Sequence, residues 1–168
     1  MKEPFEDVYD ANFKYIYNYL YAQTLHRETA EDLSMEVFAR ALEHYAGYDP
    51  SRAQVRTWLV TIARNLLINH QRAAQFRRIE NLDDIEEPGK RDDYGFRQNA
   101  ITAEVERIFS LLEQSDRELL TMRYMMEMDN QAIGEVLGIN SKTVSQRIMR
   151  LLQKCAKLAG DRSLLAED

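Results

Sequence analysis

Hydrophobic side chains recur every three to four positions through most of the chain, and this spacing predicts helices rather than strands. In the first half the pattern marks residues 5–22, a segment that begins near Thr29, and residues 55–71; more helices follow after residue 102. Glycine and proline number only 6 and 3, which disfavours a turn-rich sheet architecture. We therefore expect an all-α fold.

Residues 79–101 interrupt the helical pattern and divide the chain. They are rich in aspartate and glutamate, and they contain Pro88-Gly89, which prevents a continuous helix. This composition is typical of an acidic, flexible linker. It leaves two small helical domains, residues 1–78 and 102–168. Each should fold as a bundle, because helices this short do not stand alone.

Residues 128–155 have the pattern of a helix-turn-helix, two short helices joined by a tight turn. Asp129 is placed to cap the first helix, since its carboxylate can accept a bond from a first-turn N–H. Gly138 stands where a helix often ends in a left-handed residue. Four residues earlier, Gly134 is small enough to let the two helices cross closely.

The second helix of this pair separates apolar from basic residues, and Asn140 or Ser141 can cap it. Its inward side is expected to carry Val144, Ile148, Leu151 and Leu152. Its outward side carries Lys142, Ser145, Gln146, Arg147, Arg150 and Lys154, and residues 140–158 contain no acid. The plain alternative is a helical hairpin whose cations are merely solvated. Charge segregation favours a DNA-facing helix, since each acidic group would oppose the phosphates.

A second basic stretch, also without an acidic residue, runs from Ser51 to Ile79. Asparagine and glutamine side chains within it could hydrogen-bond base edges. Trp58 and Phe76 could stack on the bases of a single strand. For Trp58 the position alone favours a core tryptophan instead.

The helix that begins near Thr29 looks different, because its outward side is acidic. Thr29 is the predicted cap, because Thr29 and Asp32, three residues on, have the spacing of a capping box. Asp32, Met35 and Glu36 fall on the exposed side, and acids in a first turn suit the helix dipole in any protein. An exposed methionine among them is less ordinary and indicates a contact surface.

Whole-chain properties narrow the class of protein. The formal charge is -6, which averages over segments with different partners and does not exclude DNA binding. With one cysteine, Cys155, no intramolecular disulfide can form. The N-terminus lacks an apolar signal core, and no apolar run approaches membrane-spanning length. We expect a cytoplasmic protein with no membrane insertion.

Phosphate-loop, hydrolase and metal-ligand motifs are missing, so we expect no enzyme, catalytic residue, metal or cofactor.

Taken together, these segments resemble the small sigma factors of bacterial RNA polymerase, the extracytoplasmic-function group. The resemblance runs from about Phe5 to about Leu158. TAEDLSMEVFARA (29–41) is similar to the acidic helix that docks on the polymerase clamp. VRTWLVTIARNLLINHQR (55–72) is similar to the helix that opens and reads the minus-ten element. Residues 112–154 are similar to the region that reads the minus-thirty-five element.

The resemblance implies roles for single residues. It implies that Asp32, Met35 and Glu36 dock on the polymerase. Asn65 would line a pocket for a base flipped from the non-template strand. Arg72, Arg77 and Arg78 would fall at the end of its helix and in the following loop, which would complete that pocket. The minus-ten set is Trp58, Arg64, Asn65, Asn69, Arg72, Arg77 and Arg78. The recognition-helix set is Lys142, Thr143, Ser145, Gln146, Arg147 and Arg150.

Three positions depart from the family's pattern. Met35 stands where glutamine is usual, and Ser145 stands where a basic residue is common. Gly134 replaces a more usual alanine, which should cost about 1 kcal/mol of helix stability.

The expected function is therefore that of an alternative sigma factor, with core RNA polymerase and promoter DNA as partners and an anti-sigma factor as a further candidate. Two alternatives stay open. A two-domain transcriptional regulator would bind its promoter tightly without polymerase. A nucleic-acid-processing enzyme would need clustered carboxylates or a metal site near a basic face, and the basic stretches lack acids.

Overall fold

The computed structural model describes residues 2–80 and 103–165, with side chains up to residue 160, and every regular element in those ranges is helical. The helices form two compact units. The first contains α1 (Phe5–Thr24), α2 (Arg27–His44), a 3-10 turn (Tyr45–Gly47) and α3 (Val55–Glu80). The second contains α4 (Ala103–Leu111), α5 (Gln114–Leu120), α6 (Asn130–Leu137) and α7 (Ser141–Leu165). The predicted all-α class is confirmed. The predicted start of the acidic linker at residue 79 is wrong, because residues 79 and 80 belong to α3; the rest of it, residues 81–101, lies outside the described residues.

The first unit is a three-helix bundle in which α1 packs on α2 and α3, and α2 packs on α3. Leu20, Val37 and Leu59 are fully buried, one from each helix. Phe38 of α2 adds a ring contact to α1, with its centroid 5.0 Å from that of Tyr9 in an edge-on arrangement. Burial of these stripes holds the bundle together, and it leaves the opposite sides of α2 and α3 outside the core.

The junction between α1 and α2 is shorter than the sequence suggested. Leu25 ends α1 in a left-handed conformation at φ 52°, and its N–H donates to the Tyr21 carbonyl at 2.7 Å. His26 then caps α2, because its Nδ1 accepts the Thr29 N–H at 3.2 Å. The prediction of Thr29 as the cap is wrong, since a two-residue turn starts the helix at Arg27 already.

Helix α3 is longer than predicted. It was expected to end near Gln71, but it continues nine residues further, to Glu80. The added stretch contains no glycine or proline, and Ala73 and Ala74 are strong helix formers. Arg77 and Arg78 are therefore helical residues, and their predicted place in a loop after the helix is wrong.

The second unit surrounds a core rich in methionine. Met122, Met126 and Met128 are buried in the connection between α5 and α6, which includes a single wide turn over residues 121–125. In that turn the Met126 N–H donates to the Thr121 carbonyl five residues earlier at 3.0 Å. Unbranched methionine side chains suit such an irregular interior because they adapt to uneven gaps.

Helix α7 buries one stripe against this core. Val144, Ile148 and Leu151 are buried, as predicted. Leu152, predicted to point inward as well, is 44% exposed. Adjacent residues on a helix point about 100° apart, so Leu151 and Leu152 cannot both lie on one narrow buried stripe.

The helix-turn-helix has the predicted caps. Asp129 Oδ1 accepts the Ala132 N–H at 2.8 Å, and Gly138 ends α6 at φ 71°. Gly134 is needed for close approach, but the close neighbour is the turn rather than the second helix. A Cβ at this position would overlap the carbonyl oxygen of Ile139.

This geometry yields a stability prediction for Gly134→Ala. In a helix, alanine is more favourable than glycine by about 1 kcal/mol. Overlap with backbone should outweigh that gain and lower the free energy of unfolding by about 1–3 kcal/mol. Urea unfolding followed by far-ultraviolet circular dichroism measures the change. Fluorescence of Trp58, the single tryptophan, reports the first unit separately and should not shift.

Gly160→Ala is the matched control, because Gly160 also lies in a helix but has open space around a new Cβ. It should be neutral or stabilising by up to about 1 kcal/mol. If Gly134→Ala were as stable as Gly160→Ala, the turn would relax freely and the packing argument would fail.

Candidate functional site

The outward side of α7 forms the first candidate surface. Lys142, Ser145, Gln146, Arg147 and Arg150 are all exposed. Within the described part of the chain, Arg147 and Arg150 have no ion-pair partner. Their guanidinium groups are therefore available to an anion from outside, and arginine pairs bidentately with phosphate or with a guanine edge.

The start of α7 is fixed by a cap that uses one of the predicted site residues. Asn140 Oδ1 accepts the backbone N–H of Thr143 at 2.8 Å and the Thr143 hydroxyl at 2.9 Å. Of the two predicted caps, Asn140 is thus the one observed. Because the Thr143 hydroxyl proton serves this cap, its oxygen can accept a bond from DNA more readily than it can donate one.

Lys154, predicted among the outward cations, is partly diverted. Its Nζ lies 3.2 Å from Asp116 Oδ2 of α5, in a half-exposed ion pair. A pair this exposed contributes little stability. It does place an acid at the end of the basic side of α7, so the cationic surface is strongest around Arg147 and Arg150.

The second candidate surface is a strip along α3, which we call the α3 strip: Asn65, Asn69, Arg72 and Phe76. Their spacing of four, three and four residues puts them on one side of the helix. All four are exposed. Asn65 has no hydrogen-bond partner among the residues that the structure describes. Its amide is thus not used by its own domain.

The remaining cations of the acid-free stretch are dispersed. Arg77 and Arg78 are exposed but lie 100° and 200° around the helix from Phe76. Arg64, the residue before Asn65, is half-buried and has a partner within the protein. The structure brings Asn65, Asn69 and Arg72 together. Arg64 and Arg77 lie at the sides of the strip, and Arg78 lies on the opposite side of α3.

Arg56 is held inside the first unit. Its guanidinium lies 3.7 Å from the centroid of the Tyr15 ring, and its Nε donates to the buried Asn12 Oδ1 at 3.3 Å. This arginine therefore links α3 to α1, and the basic character of the sequence stretch overstates the charge that is free to meet DNA.

The surroundings of Trp58 combine features of the two roles that the sequence left open, a core tryptophan and a residue that stacks on bases. It is half-buried and stacks on Tyr48, with ring centroids 4.6 Å apart. Tyr48 is buried, which raises the pKa of its phenol, and its hydroxyl donates to the Ala53 carbonyl at 2.7 Å. One side of the indole thus belongs to an aromatic cluster, while part of its surface remains accessible next to the α3 strip.

The third candidate surface is on α2. Asp32, Met35 and Glu36 are exposed, as predicted. Glu36 accepts a bond from Arg40 at 3.0 Å, but both groups are half-exposed and the pair is weak. Sequence reasoning missed Leu42, which is 59% exposed and follows Met35 by two turns on the same side. The period of 3.6 residues, applied outward as well as inward, would have found it.

The described residues contain no cluster of histidine, cysteine and carboxylate side chains suited to a metal ion. Cys155 is half-buried, and burial is the main cause that raises the pKa of its thiol. None of the described helices combines the length and the apolar character needed to cross a bilayer.

Comparison with known proteins agrees with this geometry. The sigma-70 region 2 family matches residues 8–77, and the sigma-70 region 4 family matches residues 102–155. RNA polymerase sigma factor YlaC of Bacillus subtilis is 29% identical, and the alignment covers 89% of this chain and 88% of that protein. The extracytoplasmic-function (ECF) RNA polymerase sigma factor SigM of the same organism is 26% identical, with coverage of 91% and 93%.

Solved structures show the same fold. The sigma factor RpoE in complex with the anti-sigma factor NepR from Bartonella quintana has a TM-score of 0.74 at 14% identity, covering 92% of this chain and 95% of that one. CnrH in complex with the cytosolic domain of CnrY has a TM-score of 0.67 at 19% identity, covering 94% and 88%. Because two sigma-70 families match in order and several ECF sigma factors align along nearly the whole sequence, the chain belongs to the extracytoplasmic-function group of RNA polymerase sigma factors.

Proposed function

We propose that this chain is an alternative sigma factor that binds core RNA polymerase in the cytoplasm, directs it to particular promoters and assists strand opening. The observation that carries the proposal is the placement of an acidic, partly apolar surface on α2 and an amide-and-arginine strip on α3 within one unit. A transcriptional regulator that acts alone has no use for the α2 surface. We assign no catalytic residue to the chain, because the polymerase supplies the chemistry.

The α7 surface is proposed to read the minus-thirty-five element from the major groove. Lys142, Gln146, Arg147 and Arg150 project from the second helix of the helix-turn-helix, where base edges and phosphates are within reach. Thr143 and Ser145 add short hydroxyl contacts. Serine in place of a cation reduces phosphate contact, so base contacts by its neighbours should matter more.

The α3 strip is proposed to read the minus-ten element after the strands separate. Asn65 would hold a flipped base through its exposed amide, with Asn69 and Arg72 continuing along the same side. Arg64 and Arg77 would contact phosphates at the sides of the strip, and Arg78, on the opposite side of α3, would attract DNA through its charge. Trp58 offers its accessible edge two turns before Asn65, on the same side of α3. Capture of an unstacked base offsets part of the cost of unpairing it.

The α2 surface is proposed to dock on core polymerase through Asp32, Met35, Glu36 and Leu42. Apolar side chains at the centre with carboxylates around them suit a partner surface that is apolar at its centre and basic at its rim. An anti-sigma factor is a further proposed partner, since the structural neighbour from Bartonella quintana is itself described in complex with one.

Run-off transcription on genomic fragments, with core polymerase and the purified chain, tests the proposal as a whole. Specific transcripts should appear only when both are present. A chain that binds genomic fragments tightly alone, and adds no transcript to core polymerase, would instead be a regulator that does not dock.

Charge reversal on α2 should weaken polymerase binding. The double variant Asp32→Lys/Glu36→Lys replaces attraction to a basic rim by repulsion, so co-purification with core polymerase should fall by at least about tenfold, an order-of-magnitude expectation for two rim charges. Both positions are exposed, so the melting temperature should change little.

Glu6→Lys/Asp10→Lys on α1 is the matched control. It changes the net charge by the same amount at two exposed positions one helical turn apart. If both double variants lost polymerase equally, net charge rather than the α2 surface would govern docking.

Asn65→Ala should impair strand opening while sparing polymerase binding. Loss of a base contact should cost open-complex formation about 1–3 kcal/mol. The defect should shrink on a template already mismatched over the minus-ten element, where unpairing is no longer required. Permanganate reactivity of unpaired thymines measures the opening, and a melting curve checks folding.

Gln75→Ala removes another exposed amide from α3, away from the side of Asn65, and should leave opening unchanged. Normal permanganate reactivity of a stably folded Asn65→Ala variant on duplex promoter would remove Asn65 from the base pocket.

A further inference from the structure

The first residues of the chain are tied to the end of α2, and we call residues 2–5 the N-terminal strap. Lys2 Nζ donates to the carbonyl of Tyr45 at 2.8 Å and to that of the next residue at 2.7 Å. In return, the Tyr45 hydroxyl donates to the Glu3 carbonyl at 2.6 Å. The Phe5 ring meets the Tyr45 ring edge-on, with centroids 5.3 Å apart. These contacts hold both the backbone and the ring of Tyr45.

A cation at the end of a helix has an ordinary use. The last carbonyls of a helix lack partners within it, and an ammonium group both satisfies them and suits the negative end of the helix dipole. That use needs only the two bonds from Lys2 to the backbone. The bond from the Tyr45 hydroxyl and the contact with Phe5 restrain a side chain instead. What the restrained ring touches therefore decides what the strap can do.

The Tyr45 ring belongs to an aromatic stack that reaches α3. It lies nearly parallel to the Tyr48 ring, with centroids 5.9 Å apart, and its centroid is 6.2 Å from that of Trp58. Tyr48 in turn stacks on Trp58. The half-buried indole stands two turns before Asn65, on the same side of α3. The strap is thus connected, through Tyr45, to an indole on the side of α3 that carries the α3 strip.

We propose that the N-terminal strap is a positioning element for minus-ten recognition, which acts by holding Tyr45 and thereby fixing the orientation of Trp58. The inference rests on the proposed function and adds residues that need not touch DNA. A half-exposed indole that is free to change rotamer must be ordered when it meets DNA, and that ordering weakens the contact. An indole already packed on a restrained stack avoids this cost.

Lys2→Met tests the strap at its cation, because methionine keeps an unbranched side chain but lacks the charge and the donors. In the free chain, Trp58 is the single tryptophan, and its fluorescence should shift to longer wavelength and be quenched more strongly by acrylamide. In holoenzyme on a duplex promoter found by run-off transcription, permanganate reactivity of unpaired thymines should fall. The expected loss is roughly 2- to 12-fold, the range for ordering one side chain on binding. Co-purification with core polymerase should not change.

Lys14→Met is the matched control, because it removes the same charge from an exposed position on α1. It should alter neither the fluorescence of Trp58 nor promoter opening. Lys2→Arg keeps the charge and the donors, so it should preserve both. Tyr45→Phe removes only the bond to the strap carbonyl and keeps the stack, so it should reproduce part of the loss. A melting curve for each variant identifies any that fail to fold.

A double-mutant cycle shows whether the strap acts through the indole. In a Trp58→Leu background, Lys2→Met should cause no further loss of opening. A strap that only stabilises the fold would lower the melting temperature of Lys2→Met but leave quenching and opening unchanged at the assay temperature, and this result would overturn the proposal. So would an equal loss in Lys14→Met, full opening by Trp58→Leu alone, or an undiminished effect of Lys2→Met in the Trp58→Leu background. Failure of the proposed function is distinguishable, because then wild-type holoenzyme itself would not open the promoter.

Discussion

Helices α2, α3 and α7 each bury one stripe, and the candidate interfaces depend on that constraint. Val37 in α2, Leu59 in α3 and Val144 in α7 are fully buried, and each marks the side of its helix that the core uses. The opposite sides carry Asp32 and Met35, Asn65 and Arg72, or Arg147 and Arg150, depending on the helix. Because core packing fixes the rotation of every helix, it also fixes which chemistry each helix presents to a partner.

The distribution of charge over the helices then indicates which kind of partner each surface suits. A formal charge of -6 would oppose DNA binding if it were spread evenly over the surface, but the charges are segregated between helices. Cations are free on one side of α7 and on part of α3, while carboxylates line α2. Other cations, such as Arg56 against Tyr15, form contacts within the fold and are not available to DNA. The two surfaces that we propose for DNA, on α7 and α3, would become effective once polymerase fixes their spacing, since the second contact is then intramolecular.

Periodicity predicted the helices, the helix-turn-helix and most exposed site residues, because those follow from which positions must be buried. It predicted less well where a helix starts or stops. Thr29 has the composition of a cap, but the left-handed Leu25 and the imidazole of His26 start α2 earlier. The sequence predicts that α3 ends near Gln71, but the helix continues to Glu80. Residues 72–80 differ only weakly in composition from the residues before them, so composition does not mark the end of the helix.

Pairing and crowding were also beyond the sequence. No spacing rule shows that Lys154 reaches Asp116, or that Arg56 lies on Tyr15. The role of Gly134 was half predicted: a small residue is required, but the carbonyl of Ile139 is the reason rather than the facing helix. Such contacts depend on how elements far apart in the chain meet, which hydrophobic patterns do not encode.

We propose that promoter recognition requires polymerase to hold the α7 surface and the α3 strip in place on DNA. Fluorescence anisotropy of a labelled promoter fragment, titrated with the free chain and then with holoenzyme at the same salt concentration, tests it most directly. Holoenzyme should bind the fragment at least about a hundredfold more tightly than the free chain does, within the usual gain from linked contacts. Equal affinities, with equal discrimination against non-promoter DNA, would contradict it and favour a regulator that acts alone.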